Sequence, residues 1–310
     1  MNKIELIKYE LKKAVLGKDD ILEYILIALL SKGHVLLEDI PGVGKTNMAI
    51  ALTKATQLDY QRVQLTSDVL PSDLLGYSTY SMDSKEMVYK KGPILTNVFL
   101  ADEINRTSSK TQSALLQVME EGKIDIDGHT YEVPQPFMVI ATQNPFGSAG
   151  TQLLPDSQLD RFMMKLTIGY PDKENEIEII RRKRLGNPIE TIQSIVSIDE
   201  ILQMQDEVKK VYISPEIEQM IVEVVQASRN HSLIEQGASP RASIALMKAS
   251  QAYAFINNRD YVIDDDIKHL LYPVLNHRFI FASHINPTHD TYQKVFDDFL
   301  NTITTIQYKP

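Results

Sequence analysis

The segment "HVLLEDIPGVGKTNMAIAL", residues 34–52, constrains the fold more than any other part of this sequence. An apolar run leads into a glycine-containing turn, and a helical pattern begins at Gly44. Lys45 and Thr46 follow that glycine as in the phosphate-binding pattern G-x-x-x-x-G-K-[ST], although Asp39 stands where the first glycine belongs. Strand, glycine loop and helix in this order predict a phosphate-binding loop; the alternative is a glycine turn before an ordinary helix.

Apolar runs and helical patterns alternate through residues 1–170. The strand candidates are 34–38, 60–65, 97–102, 137–142 and 162–168, and helical patterns cover 44–56 and 107–121. Such alternation is typical of a parallel sheet that is covered by helices on both faces. The sequence therefore predicts an α/β fold whose core is a parallel five-stranded sheet between helices.

Two polar hairpins are predicted to interrupt this core. Residues 122–133 alternate on either side of Asp127-Gly128, which is a strong two-residue turn signal. Residues 77–92 show a weaker hairpin pattern. Because both segments are polar, we expect them to project from the sheet and to be available for contact with partners.

The strand patterns stop at about residue 172, and helical patterns replace them. These patterns cover 172–185, 198–210, 214–229, 240–257 and 264–275, with a natural break at the Gly-Asn-Pro of residues 186–188. We therefore expect an α/β core over residues 1–187, followed by an all-helical domain over residues 188–310.

Composition disfavours several classes of function. The chain has 310 residues, no cysteine, and a net charge of −9 from 32 basic and 41 acidic residues. The charge argues against non-specific binding to nucleic acid or anionic lipid, although a local basic pore remains compatible with it. The N-terminal segment lacks an apolar signal core, and the apolar run at 21–30 contains Glu23 and is too short to span a bilayer. We expect a cytoplasmic protein without membrane insertion.

Two acidic residues end the apolar run "VFLADE", residues 98–103. A carboxylate at a strand end beside a phosphate loop is suited to hold Mg²⁺, which is the role predicted for Asp102 together with Thr46. Glu103 is predicted to orient the attacking water as a general base, and Lys45 to reach the β- and γ-phosphates. The alternative is an acidic pair that merely starts a helix.

A third strand end and an arginine complete the candidates in the core. Asn144 follows the apolar run 139–143 and would hydrogen-bond the γ-phosphate or the water, with a turn-forming Asn-Pro as the alternative. Arg161 would be an arginine finger that enters a neighbouring subunit's site. Its alternative role is an ion pair with Asp156 or Asp160.

Arg241 is predicted to lie in the first turn of a helix, since Ser239 has the character of an N-cap and Pro240 that of a first helical residue. A cation there opposes the helix dipole by about 0.3–1 kcal/mol. We therefore expect an anion to compensate it, either a γ-phosphate or a carboxylate of the same chain.

Taken in order, these motifs resemble the MoxR family of AAA+ ATPases, in its helix-2-insert branch, over nearly the whole chain. Asp39 fits this resemblance, because loops of the family often carry a Glu-Asp or Glu-Gly pair before "PGVGKT". The segments that carry the resemblance after the phosphate loop are "TSDVLPSDLLGY" (66–77), "LADEINR" (100–106), "ATQNP" (141–145), "QLDRF" (158–162), "GASPRA" (237–242) and "PVLNHRF" (273–279).

The resemblance implies an AAA+ core with a helical lid, ATP and Mg²⁺ as cofactors, and a ring of six subunits. It implies Asn144 as sensor 1, Arg161 as the finger and Arg241 as sensor 2, with Arg106 as a second candidate for the finger. The segment 15–20, which contains Gly17, is similar to the family's adenine-side element, with Lys18 in place of a glutamine. The implied ATP-binding set is Gly17, Pro41, Gly42, Val43, Gly44, Lys45, Thr46, Asn47 and Arg241.

The leading functional hypothesis is an ATP-hydrolysing machine that remodels, assembles or activates a protein partner. Closure of the lid on the core would place Arg241 on the phosphate. By resemblance alone, the partner would be a protein with a von Willebrand factor A domain. The alternatives are a nucleotide-gated scaffold with little turnover and, disfavoured by the acidic charge, a nucleic-acid motor.

Overall fold

The predicted parallel sheet forms the centre of the N-terminal half. The structure is a computed structural model of the chain, which describes residues 2–38, 44–83, 85–144, 154–285 and 288–302. The strands of this half are β1 (Val35–Glu38), β2 (Tyr60–Gln64), β3 (Gly76–Ser81), β4 (Glu86–Lys91), β5 (Val98–Asp102), β6 (Lys123–Ile126), β7 (His129–Glu132), β8 (Met138–Gln143) and β9 (Met164–Leu166). Five of them form one sheet in the order β2-β5-β8-β1-β9, and every neighbouring pair is parallel.

Helices cover both faces of this sheet. Side chains that alternate along one strand enter different cores: Val98 and Leu100 pack on one side, and Phe99 and Ala101 on the other, all fully buried. This double burial explains why the strands appear in the sequence as continuous apolar runs. The helices of this half are α1 (Lys3–Ala14), α2 (Asp19–Leu30), α3 (Lys45–Thr56), α4 (Pro71–Leu75), α5 (Ser109–Glu121), α6 (Asp156–Leu159) and α7 (Lys173–Leu185).

Both predicted hairpins are present. β3 pairs with β4 and β6 pairs with β7, each antiparallel and each outside the central sheet. Asp127 and Gly128 both have positive φ, 50° and 81°, as a two-residue hairpin turn that follows the twist of its strands requires. The β3–β4 hairpin exposes Tyr80, Met82 and Met87 to solvent, so it is less polar on its surface than its sequence pattern suggests.

Helix α5 begins slightly later than its sequence pattern predicts. Ser108, rather than Thr107, is the N-cap, and its hydroxyl accepts a hydrogen bond from the Thr111 N–H. Gly122 ends the helix with φ 67°, the left-handed conformation that a glycine commonly supplies at a helix C-terminus.

The C-terminal half is helical with one addition. Its elements are α8 (Ile198–Val208), α9 (Pro215–Asn230), β10 (Ile234–Gln236), α10 (Pro240–Ile256), α11 (Asp264–Leu275), β11 (Ile280–Phe281) and α12 (His289–Thr302). β10 and β11 form a short antiparallel pair, so the expectation that strands stop at residue 172 is wrong in this detail. Strands of two or three residues are too short to give an alternating pattern, and their pairing depends on distant parts of the chain.

The helical half packs directly on the core. One cluster of buried side chains runs without a break from α1, α2 and the sheet into α8–α12. The buried Gln205 amide on α8 donates to the Leu29 carbonyl at the end of α2, at 2.7 Å. Within the described part of the chain, each helix is too short or too polar to traverse a lipid bilayer.

A buried histidine predicts a pH dependence of stability. His34 Nδ1 accepts the Val139 N–H at 2.9 Å, Nε2 lies 2.9 Å from the Met119 carbonyl, and burial lowers the pKa of the imidazole to about 4. The unfolded chain therefore binds one more proton between pH 6.5 and pH 4. We expect His34 to contribute a loss of about 3 kcal/mol in the free energy of unfolding as pH falls through this window.

Urea unfolding at several pH values measures this contribution. The His34→Asn variant should show a shallower decline in stability below pH 6.5 than the wild-type protein. His129→Asn, a substitution on the exposed β6–β7 hairpin, is the control and should keep the wild-type slope. Equal slopes for His34→Asn and wild type would contradict the assignment.

Candidate functional site

The phosphate-binding loop enters helix α3 at a glycine that the backbone requires. Gly44 is the N-cap residue with φ 92°, a conformation that side-chain-bearing residues rarely adopt. Among the described residues, no atom lies within 4 Å of the position that a Cβ on Gly44 would take, so the constraint there is conformational rather than spatial. Lys45 and Thr46 then occupy the first turn of α3, where backbone N–H groups lack intrahelical acceptors and favour an anion.

Asp102 ends the strand β5 and is held by two side chains. The Thr142 hydroxyl on the adjacent β8 donates to Asp102 Oδ1 at 2.6 Å. On the other side, Arg62 of β2 donates to Asp102 Oδ2 through Nη2 at 2.6 Å and Nε at 3.2 Å. These bonds fix the carboxylate at the carboxyl edge of the sheet, facing the start of α3.

Glu103 lies immediately beyond the strand in a strained conformation. Its φ of 58° and ψ of 53° are left-handed values that are uncommon for a residue with a side chain. Its N–H is bound to the Thr142 hydroxyl at 2.9 Å, and its Oε2 accepts from the Gln64 amide at 2.7 Å and from Arg106 Nη1 at 3.1 Å. Such strain concentrates at functional sites, which supports a role for Glu103 beyond packing.

One cavity collects the predicted phosphate, metal and water groups. Its volume is about 410 Å³. Its lining residues are Gly44, Lys45, Thr46, Asn47, Arg62, Gln64, Asp102, Glu103 and Asn144. The structure therefore brings the phosphate loop together with the ends of β5 and β8, as the parallel sheet leads one to expect.

Arg62 and Gln64 are site residues that the sequence analysis missed. They alternate along β2 within "YQRVQL", and the register places Gln64 beside Asp102 of β5. Two polar side chains spaced by two residues near a strand end could have indicated them. The order of strands, which makes β2 the neighbour of β5, was not available from the pattern.

The cavity suits Mg²⁺ and a nucleoside triphosphate. Magnesium in proteins is commonly bound by one or two carboxylates together with substrate phosphates. Here Asp102 offers the carboxylate, and the Thr46 hydroxyl offers a further oxygen ligand. Lys45 and the first turn of α3 supply the positive charge that phosphates need.

Arg161 and Arg241 lie together in a different cavity. Both pair with Glu120 near the end of α5: Arg161 Nη1 is 3.5 Å from Oε2, and Arg241 Nη2 binds Oε1. This cavity has a volume of about 260 Å³. Its lining residues are Lys32, Gly33, His34, Met119, Glu120, Asp160, Arg161, Met163, Arg241, Ile244, Ala245, Lys248 and Arg278, none of which lines the cavity of Lys45.

Arg241 has one of the two kinds of anionic partner that the sequence analysis expected. Ser239 is the N-cap and Pro240 the first residue of α10, as predicted, and the Arg241 N–H is bound to the Ser239 hydroxyl. The compensating anion is the Glu120 carboxylate of the same chain, and the contact of Arg241 with a γ-phosphate stays a prediction. Arg161 also pairs with Glu120, whereas the sequence pattern indicates Asp156 or Asp160 as the alternative ion-pair partners.

Other predicted site residues have different outcomes. Gly17 has φ 66°, and a Cβ there would lie 2.3 Å from the Asn175 side chain. The fold itself therefore requires a glycine at this position. The contact of Gly17 with adenine stays a prediction. Arg106 pairs with Glu103 of its own chain. Asp39 lies outside the described residues. The same holds for three members of the predicted ATP-binding set, which are Pro41, Gly42 and Val43.

Comparison with known proteins supports the same family. Residues 34–164 match the profile of the ATPase family associated with various cellular activities (AAA), and residues 226–297 match an AAA lid domain. YeaC of Bacillus subtilis is 50% identical over 270 residues, which are 87% of this chain and 84% of that protein. Chaperone MoxR1 of Mycobacterium tuberculosis is 38% identical over 281 residues, 88% and 74% of the two chains.

A solved structure agrees with the fold. A crystal structure of a Cytophaga hutchinsonii protein, which bears the provisional name of an ATPase, superimposes with a TM-score of 0.89. The match covers 98% of this chain and 94% of that one at 39% identity. Because the chain matches the AAA core and lid domains and is similar to these relatives over most of its length, it belongs to the MoxR family of AAA+ ATPases.

Proposed function

We propose that this protein hydrolyses ATP with Mg²⁺ in a ring of subunits and uses the energy to remodel or activate a protein partner. The observation that carries the proposal is the single cavity that joins Lys45, Thr46, Asp102, Glu103 and Asn144. Each group has the chemical character that phosphoryl transfer to water needs. The family supports nucleotide binding and ATPase activity in general.

Each residue of the cavity has its own role in the proposed hydrolysis. Lys45 and the first turn of α3 bind the β- and γ-phosphates, while Thr46 and Asp102 hold the metal. When bound, Mg²⁺ neutralises charge that develops on the phosphate oxygens. Glu103 orients the attacking water and accepts its proton, and Asn144 hydrogen-bonds the γ-phosphate or the water.

The contacts of Glu103 suggest that its activity is controlled. Gln64 and Arg106 both bind Oε2 of its carboxylate, so a rearrangement of these two side chains would reorient the carboxylate relative to the attacking water. Arg62 similarly occupies one oxygen of Asp102. In our proposal, binding of the metal and the triphosphate rearranges these side chains and so activates the site.

Arg161 acts in our proposal on the nucleotide of a neighbouring subunit in a ring of six. The support is that Arg161 does not line the cavity of Lys45, so within one chain the site lacks this arginine. Arg241 shares Glu120 with Arg161, which favours a common destination for both arginines. Exchange of Glu120 for a phosphate would keep both cations compensated.

The client is proposed to be a protein. Relatives named as a chaperone and as MoxR support this class, and a partner with a von Willebrand factor A domain remains an expectation from the family. The β3–β4 hairpin, with its exposed Tyr80, Met82 and Met87, is a candidate contact surface. The chief rival is a nucleotide-gated scaffold with little turnover.

Substitution of Lys45 tests the nucleotide site. Loss of charge-assisted hydrogen bonds to phosphate should weaken ATP binding by roughly 10- to 100-fold in Lys45→Ala. Titration with a fluorescent ATP analogue measures the affinity, and phosphate release measures turnover. Lys54→Ala, at the other end of α3, is the control. Unchanged ATP affinity in Lys45→Ala would contradict the proposed nucleotide site. If the wild-type protein binds ATP tightly but releases no phosphate, with or without candidate partners, the result would favour the nucleotide-gated scaffold.

A further inference from the structure

Arg278 is a buried arginine that the proposed reaction does not use. It follows α11 within "PVLNHRF", and its side chain is only 2% exposed. Burial lowers the pKa of its guanidinium to about 10, and the nearby Asp160 carboxylate opposes that shift. It is therefore still charged at neutral pH, and a buried charge of this kind persists only with well-placed partners.

Nearly all of those partners lie in one short segment of the core. Nε donates to Asp160 Oδ1 at 3.0 Å, Nη1 to the Met163 carbonyl at 2.9 Å, and Nη2 to the Phe162 and Asp160 carbonyls at 2.6 and 3.2 Å. The remaining bond goes to the Val274 carbonyl in α11, the helix that precedes Arg278. Arg278 thus contacts residues on both sides of Arg161.

Neighbouring residues of the lid strengthen the same attachment. His277 Nε2 lies 3.0 Å from the Phe162 carbonyl, and the Asn276 amide donates to the Lys165 carbonyl at 3.0 Å. Three consecutive residues after α11 therefore contact the segment that runs from α6 into β9. This segment is held to the lid by hydrogen bonds and does not depend only on packing against the sheet.

The Asp160 carboxylate also binds a residue at the start of α10, the helix that carries Arg241. The Ser239 hydroxyl donates to Asp160 Oδ2 at 2.7 Å, while Arg278 uses Oδ1. Ser239 is the N-cap of α10, two residues before Arg241. Asp160 consequently ties the start of α10 and the end of α11 to the residue that precedes Arg161.

We infer that Arg278 is a positioning residue, which clamps residues 160–163 to the lid so that Arg161 and Arg241 move as one unit with it. The inference rests on the proposed ATPase function. It gives a physical route by which the lid of one subunit affects hydrolysis in its neighbour, because any displacement of the lid displaces Arg161. A buried ion pair that only stabilises the fold would have no such effect on the neighbour.

Substitution of Arg278 by methionine removes the clamp. A displacement of about 1 Å can lower a rate by roughly 100-fold, so we expect kcat to fall by about this factor while KM for ATP changes little. Arg259→Met is the matched control, because Arg259 lies in the same lid and its side chain binds the Asp266 carboxylate and the Tyr261 carbonyl, which are both in the lid. It should keep kcat even where it lowers the melting temperature.

Mixing of variants shows which site Arg278 serves. If Arg278 positions Arg161 for the neighbour, Arg278→Met mixed with Glu103→Gln regains activity, because about one interface in four of a randomly mixed ring combines an intact Glu103 with an intact finger. Arg278→Met mixed with Arg161→Ala stays inactive, because no subunit then supplies a working finger. The opposite pattern, or recovery in neither mixture, overturns the inference, provided that Glu103→Gln and Arg161→Ala restore each other.

Hydrogen exchange tests the clamp without any activity. Amides of residues 156–166 should lose protection in Arg278→Met but not in Arg259→Met, whereas residues 45–56 of α3 should be unchanged in both. Unaltered protection of residues 156–166 would refute the clamp, even if the proposed trans-acting finger fails on its own test. Arg278→Lys, which keeps the charge opposite Asp160 but not the planar fork, should give an intermediate loss and replaces the methionine variant if that does not fold.

Discussion

Glu103→Gln is expected to lower the kcat of ATP hydrolysis by about 10²- to 10⁴-fold, the usual contribution of a general base. Glutamine keeps the size of the side chain and its capacity to bind Gln64 or Arg106, but its amide cannot accept the proton of the attacking water. ATP affinity should stay within a few-fold of wild type, because Glu103 is not proposed to bind phosphate. Steady-state phosphate release and an ATP-analogue titration measure the two quantities.

The control for this result is Glu132→Gln, on the exposed edge of the β6–β7 hairpin. It removes the same charge from the chain and should leave kcat unchanged. If Glu103→Gln hydrolyses ATP at the wild-type rate, Glu103 is not the base, and its left-handed backbone then has another cause. A protein variant that binds ATP without cleaving it would also serve to capture the client in its bound state.

Arg161→Ala is expected to lower kcat by about 10³- to 10⁵-fold, which is the range for an arginine that stabilises charge on a transferring phosphoryl group. Because Arg161 is proposed to act on a neighbour, the loss should be repaired in mixed rings. When Arg161→Ala and Glu103→Gln are combined, some interfaces join an intact Glu103 of one subunit to an intact Arg161 of the next. Activity of the mixture should therefore exceed that of either variant alone.

Arg181→Ala supplies the control for Arg161. Arg181 lies on α7 with 70% of its side chain exposed, so its loss changes the charge without touching either cavity. Native mass spectrometry of the mixture establishes co-assembly, which the argument requires. Co-assembled rings that remain inactive would show that Arg161 does not act in trans, and the same mixing with Arg106→Ala would then examine the second candidate.

The fold was largely predictable because its strands are buried on both faces. Runs such as Val98–Asp102 need no knowledge of their neighbours to be recognised, and Asp127-Gly128 defines its hairpin locally. The β10–β11 pair was missed because two strands of three and two residues carry no period of their own. Helix α12 was also not predicted as a separate element.

The site was predictable only where a motif carries its own spacing. Lys45 and Thr46 were identified from the glycine loop, and Asp102, Glu103 and Asn144 from strand ends. All five line one cavity. The contacts that restrain them were not, because Arg62 and Gln64 reach Asp102 and Glu103 only through the strand order. Pairing of two arginines with one glutamate likewise depends on how α5 packs against α10 and the segment between α6 and β9, which no local pattern records.

The cavity around Glu120 carries a charge opposite to that of the chain. Five cationic side chains line it against two carboxylates, those of Glu120 and Asp160, although the chain as a whole has a net charge of −9. The cations are Lys32, Arg161, Arg241, Lys248 and Arg278. The total charge is thus an average over unlike surfaces, and long-range repulsion of anions by the whole molecule coexists with a short-range basin of positive potential at this face.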